Sequence, residues 1–171
     1  LDFFAAGHND LFRTAAGDDL VVFHACSPCP KARGPVPFYL CACLYSFNAR
    51  GEMVMNPNRY AGERLRDVTE EELCTLSDGS FDYIELPARN DRCVFAQTGL
   101  RLCRGGGLTL DGSPCGQWKL YGGHYLSLDF GGERWHGVVF PAWIEAERRV
   151  GLSVSARGEC SHRPLFLNMA W

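Results

Sequence analysis

This sequence of 171 residues has no basic excess, no long apolar run, no glycosylation sequon and none of the short motifs that announce a catalytic centre. Seventeen Lys and Arg stand against twenty Asp and Glu, for a net charge of −3. A nucleic-acid binder needs cationic excess to neutralise phosphates, so nucleic acid is not an expected partner. No stretch approaches the ~18 consecutive apolar residues of a membrane helix, so a membrane is not an expected partner either. Asn48, Asn56, Asn58, Asn90 and Asn168 all lack a hydroxyl residue two positions on, and N-glycosylation is not expected. H-E-x-x-H and G-x-S-x-G are both missing, which removes two common hydrolase signatures. There is no internal repeat, heptad or long linker, and the length suits a single domain over residues 1–171.

What is abundant is cysteine: Cys26, Cys29, Cys41, Cys43, Cys74, Cys93, Cys103, Cys115 and Cys160. Nine thiols suit an oxidising compartment, where they become cross-links. The chain opens at Leu1 without the charged and apolar segments of a leader, and is read as a processed, secreted form. The spacing Cys26-x2-Cys29, eleven residues, then Cys41-x-Cys43 admits three chemistries. A redox C-x-x-C needs a helix starting at the motif to activate the first thiolate. Here Pro30, Gly34, Pro35 and Pro37 follow and forbid one. Zinc on Cys26, Cys29, Cys41 and Cys43 would leave five cysteines unexplained. A disulfide framework uses most of the thiols, with the clustered four bonding outwards because C-x-C cannot close a relaxed bridge on itself. The odd number leaves one thiol over, which is expected to pack as a small apolar group.

Periodicity gives a coarse layout. Phe4, Leu11, Phe12 and Ala15 lie at helical spacing, with Gly17 as a stop. Leu20 to Phe23 and Phe38 to Phe47 read as strands, with a proline-rich loop over 27–37 between them. Residues 48–66 read as a surface loop. Thr69-Glu70-Glu71-Glu72 fits a capping box opening a short helix. Strands are expected over 81–86, 93–97, 100–103, 125–130, 152–155 and 165–167, with a hairpin turn at Asp111-Gly112. Pro141 reads as the first position of a helix carrying Trp143, Ala146 and Val150. The sum is an α+β fold: an antiparallel sheet of about four or more strands, packed with a few short helices and stapled by disulfides.

The cysteine pattern resembles the central segment of the Leptosphaeria avirulence and suppressing (LARS) family of secreted, cysteine-rich fungal effectors. Cys26, Cys29, Cys41 and Cys43 match, with Phe38-Tyr39-Leu40 as an apolar lead-in. The family's Trp-Arg-apolar-basic motif has its nearest counterpart in Trp118-Lys119-Leu120-Tyr121, which differs at two positions. The resemblance implies a four-stranded antiparallel sheet covered by helices and bridged by disulfides. It also implies secretion into plant tissue, a virulence role and recognition by host resistance receptors.

Five histidines are present, and His124 and His136 flank an expected strand near Asp129 and Glu133. A histidine–carboxylate pair there would serve acid–base chemistry in a small secreted nuclease or glycosidase. Arg104-Gly105-Gly106-Gly107 lacks the lysine and helix of a phosphate loop and reads as a hairpin loop. Trp118, Tyr121, Tyr125, Trp135 and Trp143 could line a sugar-binding surface or fill the core. The expectation is a monomeric, secreted, non-enzymatic effector without cofactor or metal, which binds a host plant protein or immune receptor. Its contact surface would lie around Arg104, Trp118, Lys119 and Tyr121. The alternative is a hydrolase using His124 or His136, or a carbohydrate-binding protein.

Overall fold

A computed structural model describes residues 4–26, 38–75, 80–85, 99–144 and 147–168. Strands β1 (Phe4–Arg13), β2 (Asp19–Cys26), β3 (Phe38–Phe47) and β4 (Met53–Met55) form an antiparallel sheet in that order. A short helix follows, α1 (Glu70–Thr75). Then come β5 (Ser80–Glu85), β6 (Gly99–Leu102), β7 (Gly107–Leu110), β8 (Ser113–Tyr121), β9 (Tyr125–Phe130), β10 (Glu133–Ile144), β11 (Arg149–Gly158) and β12 (Pro164–Asn168). Each of these pairs with the next, and β12 pairs with β5, closing an eight-stranded up-and-down barrel.

Alternation builds the barrel. Along β9, Leu126 and Leu128 point inward and are fully buried, while Tyr125, Ser127 and Asp129 point outward. Leu100, Leu102, Leu108, Leu152, Val154, Leu165 and Leu167 join them in the core, with Trp118 and Trp135. Eight strands leave an interior just wide enough for such side chains to fill. The hairpin turn at Asp111 and Gly112 has φ of 49° and 79°, the pair of positive values that a two-residue turn between twisted strands demands.

Helix α1 closes one end of the barrel. The Thr69 hydroxyl accepts the Glu72 N–H at 3.1 Å, as the capping box predicts. Leu73, fully buried, and Val68 join the barrel core. The Val68 N–H donates to Gly123 in the β8–β9 turn, and the Gly105 N–H of the β6–β7 turn donates to Glu70 at 2.9 Å.

The four-stranded sheet packs on the outside of β10 through a second core of Leu20, Leu44, Val54, Val138 and Phe140. A buried polar hub ties the junction. Asn56 donates to the Pro141 carbonyl at 3.0 Å and accepts from the Ser153 hydroxyl at 2.9 Å and from the Asn58 N–H at 3.0 Å.

Three expectations are corrected. The fold is nearly all antiparallel β, not α+β, and α1 is the single helix among the described residues. The first expected helix is β1, which pairs with β2 through Leu11↔Val21 and Phe12↔Leu20. Register shifts on both sides of Gly7 break its period of two, so its apolar residues fall by accident at helical spacing. The helix expected at Pro141 is the second half of β10. Val139 N–H points to His124 at the end of β9. The nitrogen of Pro141, two residues on, faces the same way, past that end, so its missing N–H leaves no ladder bond unmade.

The disulfide framework is corrected as well. Cys41, Cys43, Cys74, Cys103, Cys115 and Cys160 are free thiols. Cys26 ends β2, and Cys29 and Cys93 lie outside the described residues. Burial pushes the Cys43 thiol up to about 12, so it packs as a small apolar group. Among the described residues no cluster of three or more His, Cys, Asp or Glu could hold a metal.

Glu63 is the buried carboxylate with an unsatisfied atom. Its Oε2 accepts the Ala61 N–H at 2.7 Å, and its Oε1 has no hydrogen-bond partner among the described residues. Burial holds its pKa above the usual 4.5, against the pull of its backbone hydrogen bonds. The folded state therefore binds this proton more tightly than the unfolded chain. Its contribution to stability is present in acid and is lost as pH rises above 4.5 through the folded-state value. Glu63→Gln is expected to raise Tm at pH 7, with the gain vanishing below about pH 4.5. Thermal unfolding of both proteins across pH 3.5–8 checks this.

Candidate functional site

The outer face of β8, β9 and β10 carries an ordered array of polar side chains. Cross-strand register sets Gln117 beside Asp129 and Asp129 beside Arg134, then Lys119 beside Ser127 and Ser127 beside His136. A third row places Tyr121 beside Tyr125, their rings 5.9 Å apart. The first two rows and Tyr121 border a shallow groove of about 420 Å3.

Its electrostatics are settled by one pair. Arg134 Nε donates to Asp129 Oδ1 at 2.7 Å, and Arg134 Nη2 to Oδ2 at 3.3 Å. That hydrogen-bonded contact holds the guanidinium pKa above its usual value. Lys119 stands exposed beside it. Burial pushes the Tyr121 phenol up, so it stays a neutral donor and acceptor.

His136 forms the wall toward the four-stranded sheet. Its Nε2 lies 3.5 Å from Glu159 Oε2, and Arg50 Nη1 lies 3.0 Å from the other oxygen of that carboxylate. Asn48, at the β3–β4 turn, donates to the His136 carbonyl at 3.1 Å. The groove therefore sits beside the junction of sheet and barrel.

The expected site residues separate by strand phase. Lys119 and Tyr121 occupy outward positions and meet in the groove with His136. Trp118 borders the groove as well but has the opposite phase: its ring is buried in the barrel, with Nε1 donating to the Cys103 carbonyl at 3.0 Å. Arg104 lies at the end of the barrel closed by α1, 3.5 Å from Glu71, away from the groove. His124 lies in the β8–β9 turn, its Nδ1 3.4 Å from Asp67, and its ring packs on Tyr125 at 4.6 Å. The two histidines thus belong to different sites. Asp129 was noted in the sequence as a carboxylate near His136, whereas Gln117, Ser127 and Arg134 were not singled out. The signal that finds them is the outward phase of 117, 119 and 121 and of 125, 127 and 129.

Hydrolysis of a glycosidic bond by the common routes needs two carboxyl groups flanking the bond, one ionised and one protonated. Among the described residues lining the groove the one carboxylate is Asp129, and Arg134 engages both its oxygens. What the array offers is a row of fixed donors and acceptors next to a phenol ring.

Architecturally, this is a closed up-and-down β barrel, side-chain filled, with a polar groove on its outer wall and a small sheet attached. The chain belongs to the GH43_C family, described as a C-terminal lipocalin-like domain, whose model matches residues 57–161. A family 43 glycoside hydrolase, the YxiA protein of Bacillus licheniformis, superposes with a TM-score of 0.79 at 23% identity, over 96% of this chain and 35% of that one. The endo-1,5-α-L-arabinanase of Thermotoga petrophila RKU-1 superposes with a TM-score of 0.81 at 21% identity, over 99% of this chain and 36% of that one. The same arabinanase in complex with TRIS gives a TM-score of 0.79 at 20% identity. The chain thus spans about a third of the length of these structures. No curated protein matches it. These findings overturn the reading of a plant-infecting effector recognised by host receptors: they point to a carbohydrate-related role.

Proposed function

We propose that this chain is a carbohydrate-binding, non-catalytic part of a longer family 43 glycoside hydrolase, and that the groove on β8, β9 and β10 holds a segment of an α-1,5-linked arabinan. The observation that carries the reading is the array of Gln117, Lys119, Ser127, Asp129, Arg134 and His136 beside Tyr121. Sugar hydroxyls donate and accept at once, and this array presents both roles at fixed strand spacing. The half-buried Tyr121 ring supplies the apolar contact that a furanose ring also needs. The groove is open and shallow, which suits a section of a chain rather than an enclosed small molecule. The family match and the arabinanase likeness supply the class of ligand.

The test is titration of the isotope-labelled protein with α-1,5-arabino-oligosaccharides, followed by amide and side-chain shifts. Perturbations are expected along residues 117–121, 125–129 and 134–136. Lys119→Ala removes one charged hydrogen-bond donor, worth about 1.5–3 kcal/mol, and is expected to weaken binding by about tenfold or more. Saturating oligosaccharide that leaves those shifts unmoved would sink the proposal.

A further inference from the structure

We propose that both faces of β1–β3 are covered by polypeptide that precedes this chain in the longer enzyme, so that the four-stranded sheet is a shared wall between two bodies. The inference rests on the reading of the chain as part of a longer glycoside hydrolase. Its own ground is the character of the sheet.

An antiparallel sheet with one wet face reads as alternating apolar and polar residues. β2 and β3 do not alternate: Leu20-Val21-Val22-Phe23 and Tyr39-Leu40-Cys41-Ala42-Cys43-Leu44-Tyr45 are apolar on both phases. Register sorts them into faces. Leu20, Leu44, Phe12, Val22, Ala42 and Leu40 share one face, and Val21, Cys43, Leu11, Phe23 and Cys41 share the other. Leu20 and Leu44 dock on the barrel, yet on that same face Phe12, directly beside Leu20 on β1, is 55% exposed and Leu40, further along β3, is 82% exposed. On the opposite face Val21 and Cys43 are buried, while at its margins Leu11 and Phe47 are each 51% exposed, with Met53 beside Phe47 in the β3–β4 pairing. An apolar groove of about 200 Å3, lined by Phe23, Cys41, Cys43, Met55 and Phe166, opens on that opposite face. Exposed apolar groups scattered singly are ordinary, but groups gathered on both faces of one sheet mark an interface.

Two further observations choose the occupant. The match to the C-terminal domain begins at residue 57, immediately after β4. The superposed structures nevertheless cover 96% and 99% of this chain, so their likeness extends into the sheet, and each is about three times as long. The sheet therefore falls outside the C-terminal domain yet recurs with it, as expected of the last element of the body in front.

Hydrogen–deuterium exchange on two proteins tests this: the 171-residue chain, and the same chain extended by all coding sequence ahead of residue 1. The extended protein is expected to protect the amides of β1–β3 at least tenfold more strongly, while barrel amides of β9 and β10 exchange alike in both. Leu40→Asp and Leu11→Asp are expected to leave Tm unchanged in the short chain and to lower it by several degrees in the extended one. Arg101→Ala, exposed on β6 and off both faces, serves as the control and shifts neither. Equal exchange of β1–β3 in the two proteins overturns the proposal, as does a gene with no coding sequence ahead of residue 1. Concentration-dependent protection in the short chain that persists unchanged in the extended one would assign the faces to a second copy instead, and also overturns it. The groove titration is independent of all these outcomes, so loss of sugar binding and loss of the shared wall are told apart.

Discussion

Asn56→Leu is expected to lower the free energy of unfolding by about 3–5 kcal/mol, from the ~1–3 kcal/mol attached to each buried polar group left without a partner. Asn56 is fully buried and is held in four directions. Its own N–H donates to the Leu44 carbonyl, which survives the substitution. Its side chain does not: the Pro141 carbonyl, the Ser153 hydroxyl and the Asn58 N–H all lose their partner. Asn58 in turn reaches Asn168 Oδ1 at 2.9 Å, so the loss extends from β10 and β11 to β12. Leucine keeps the branching and the number of side-chain heavy atoms, so no cavity is left and the expected loss comes chiefly from hydrogen bonding. That can be checked. Adding Ser153→Ala to Asn56→Leu removes one stranded hydroxyl and is expected to recover about 1 kcal/mol, a coupling visible in a double-mutant cycle. Urea unfolding of the four proteins measures it, and simple additivity of the two substitutions would show that the hub is not a unit.

Phe140→Ala is expected to cost about 3–5 kcal/mol, the range for deleting a buried aromatic ring. The ring is fully buried, and it lies where the outside of β10 meets Leu20, Leu44 and Val54 of the sheet. Its loss therefore loosens the contact between sheet and barrel rather than the barrel lining. The barrel retains Leu126, Leu128, Leu165 and Leu167. A single denaturant transition moved to lower midpoint is the expected result if the two sheets unfold together. Two transitions in the variant, the first reported by the β1–β4 amides, would show that Phe140 is what makes them one cooperative unit.

Much of the strand content was legible, because it rests on short-range rules. Leu126 and Leu128 alternate with Ser127 and Asp129, and β9 is there. Asp111-Gly112 turns between β7 and β8, and Thr69 caps α1. What was illegible depends on partners distant in sequence. β1 was misread because bulges around Gly7 disturb its period. The second half of β10 was misread because Pro141 is tolerated only where β9 has ended. The cysteines were overweighted: high thiol content speaks to compartment, while pairing is a matter of position in space. Of the groove, Trp118, Lys119, Tyr121, Asp129 and His136 were named from the sequence, but not that the Trp118 ring turns into the barrel while its neighbours turn outward, as adjacent side chains of a strand do. Asp129 and Arg134 come together only when β9 and β10 pair, and no spacing within either strand announces that contact.

The way the barrel closes also bears on how it assembles. Every pairing from β5 through β12 joins consecutive strands except the seam, where Asp82 to Glu85 meet Leu165 to Asn168. Consecutive hairpins can form early, because little chain must be gathered to make each one. The seam must wait for the whole meander, since its two sides are the farthest apart along the barrel and bear the largest loop-closure entropy. A joint formed after the rate-limiting step governs how long the native state persists, and hardly how fast it is reached. The lifetime of the ring is thus set in the few residues where its last strand returns to its first.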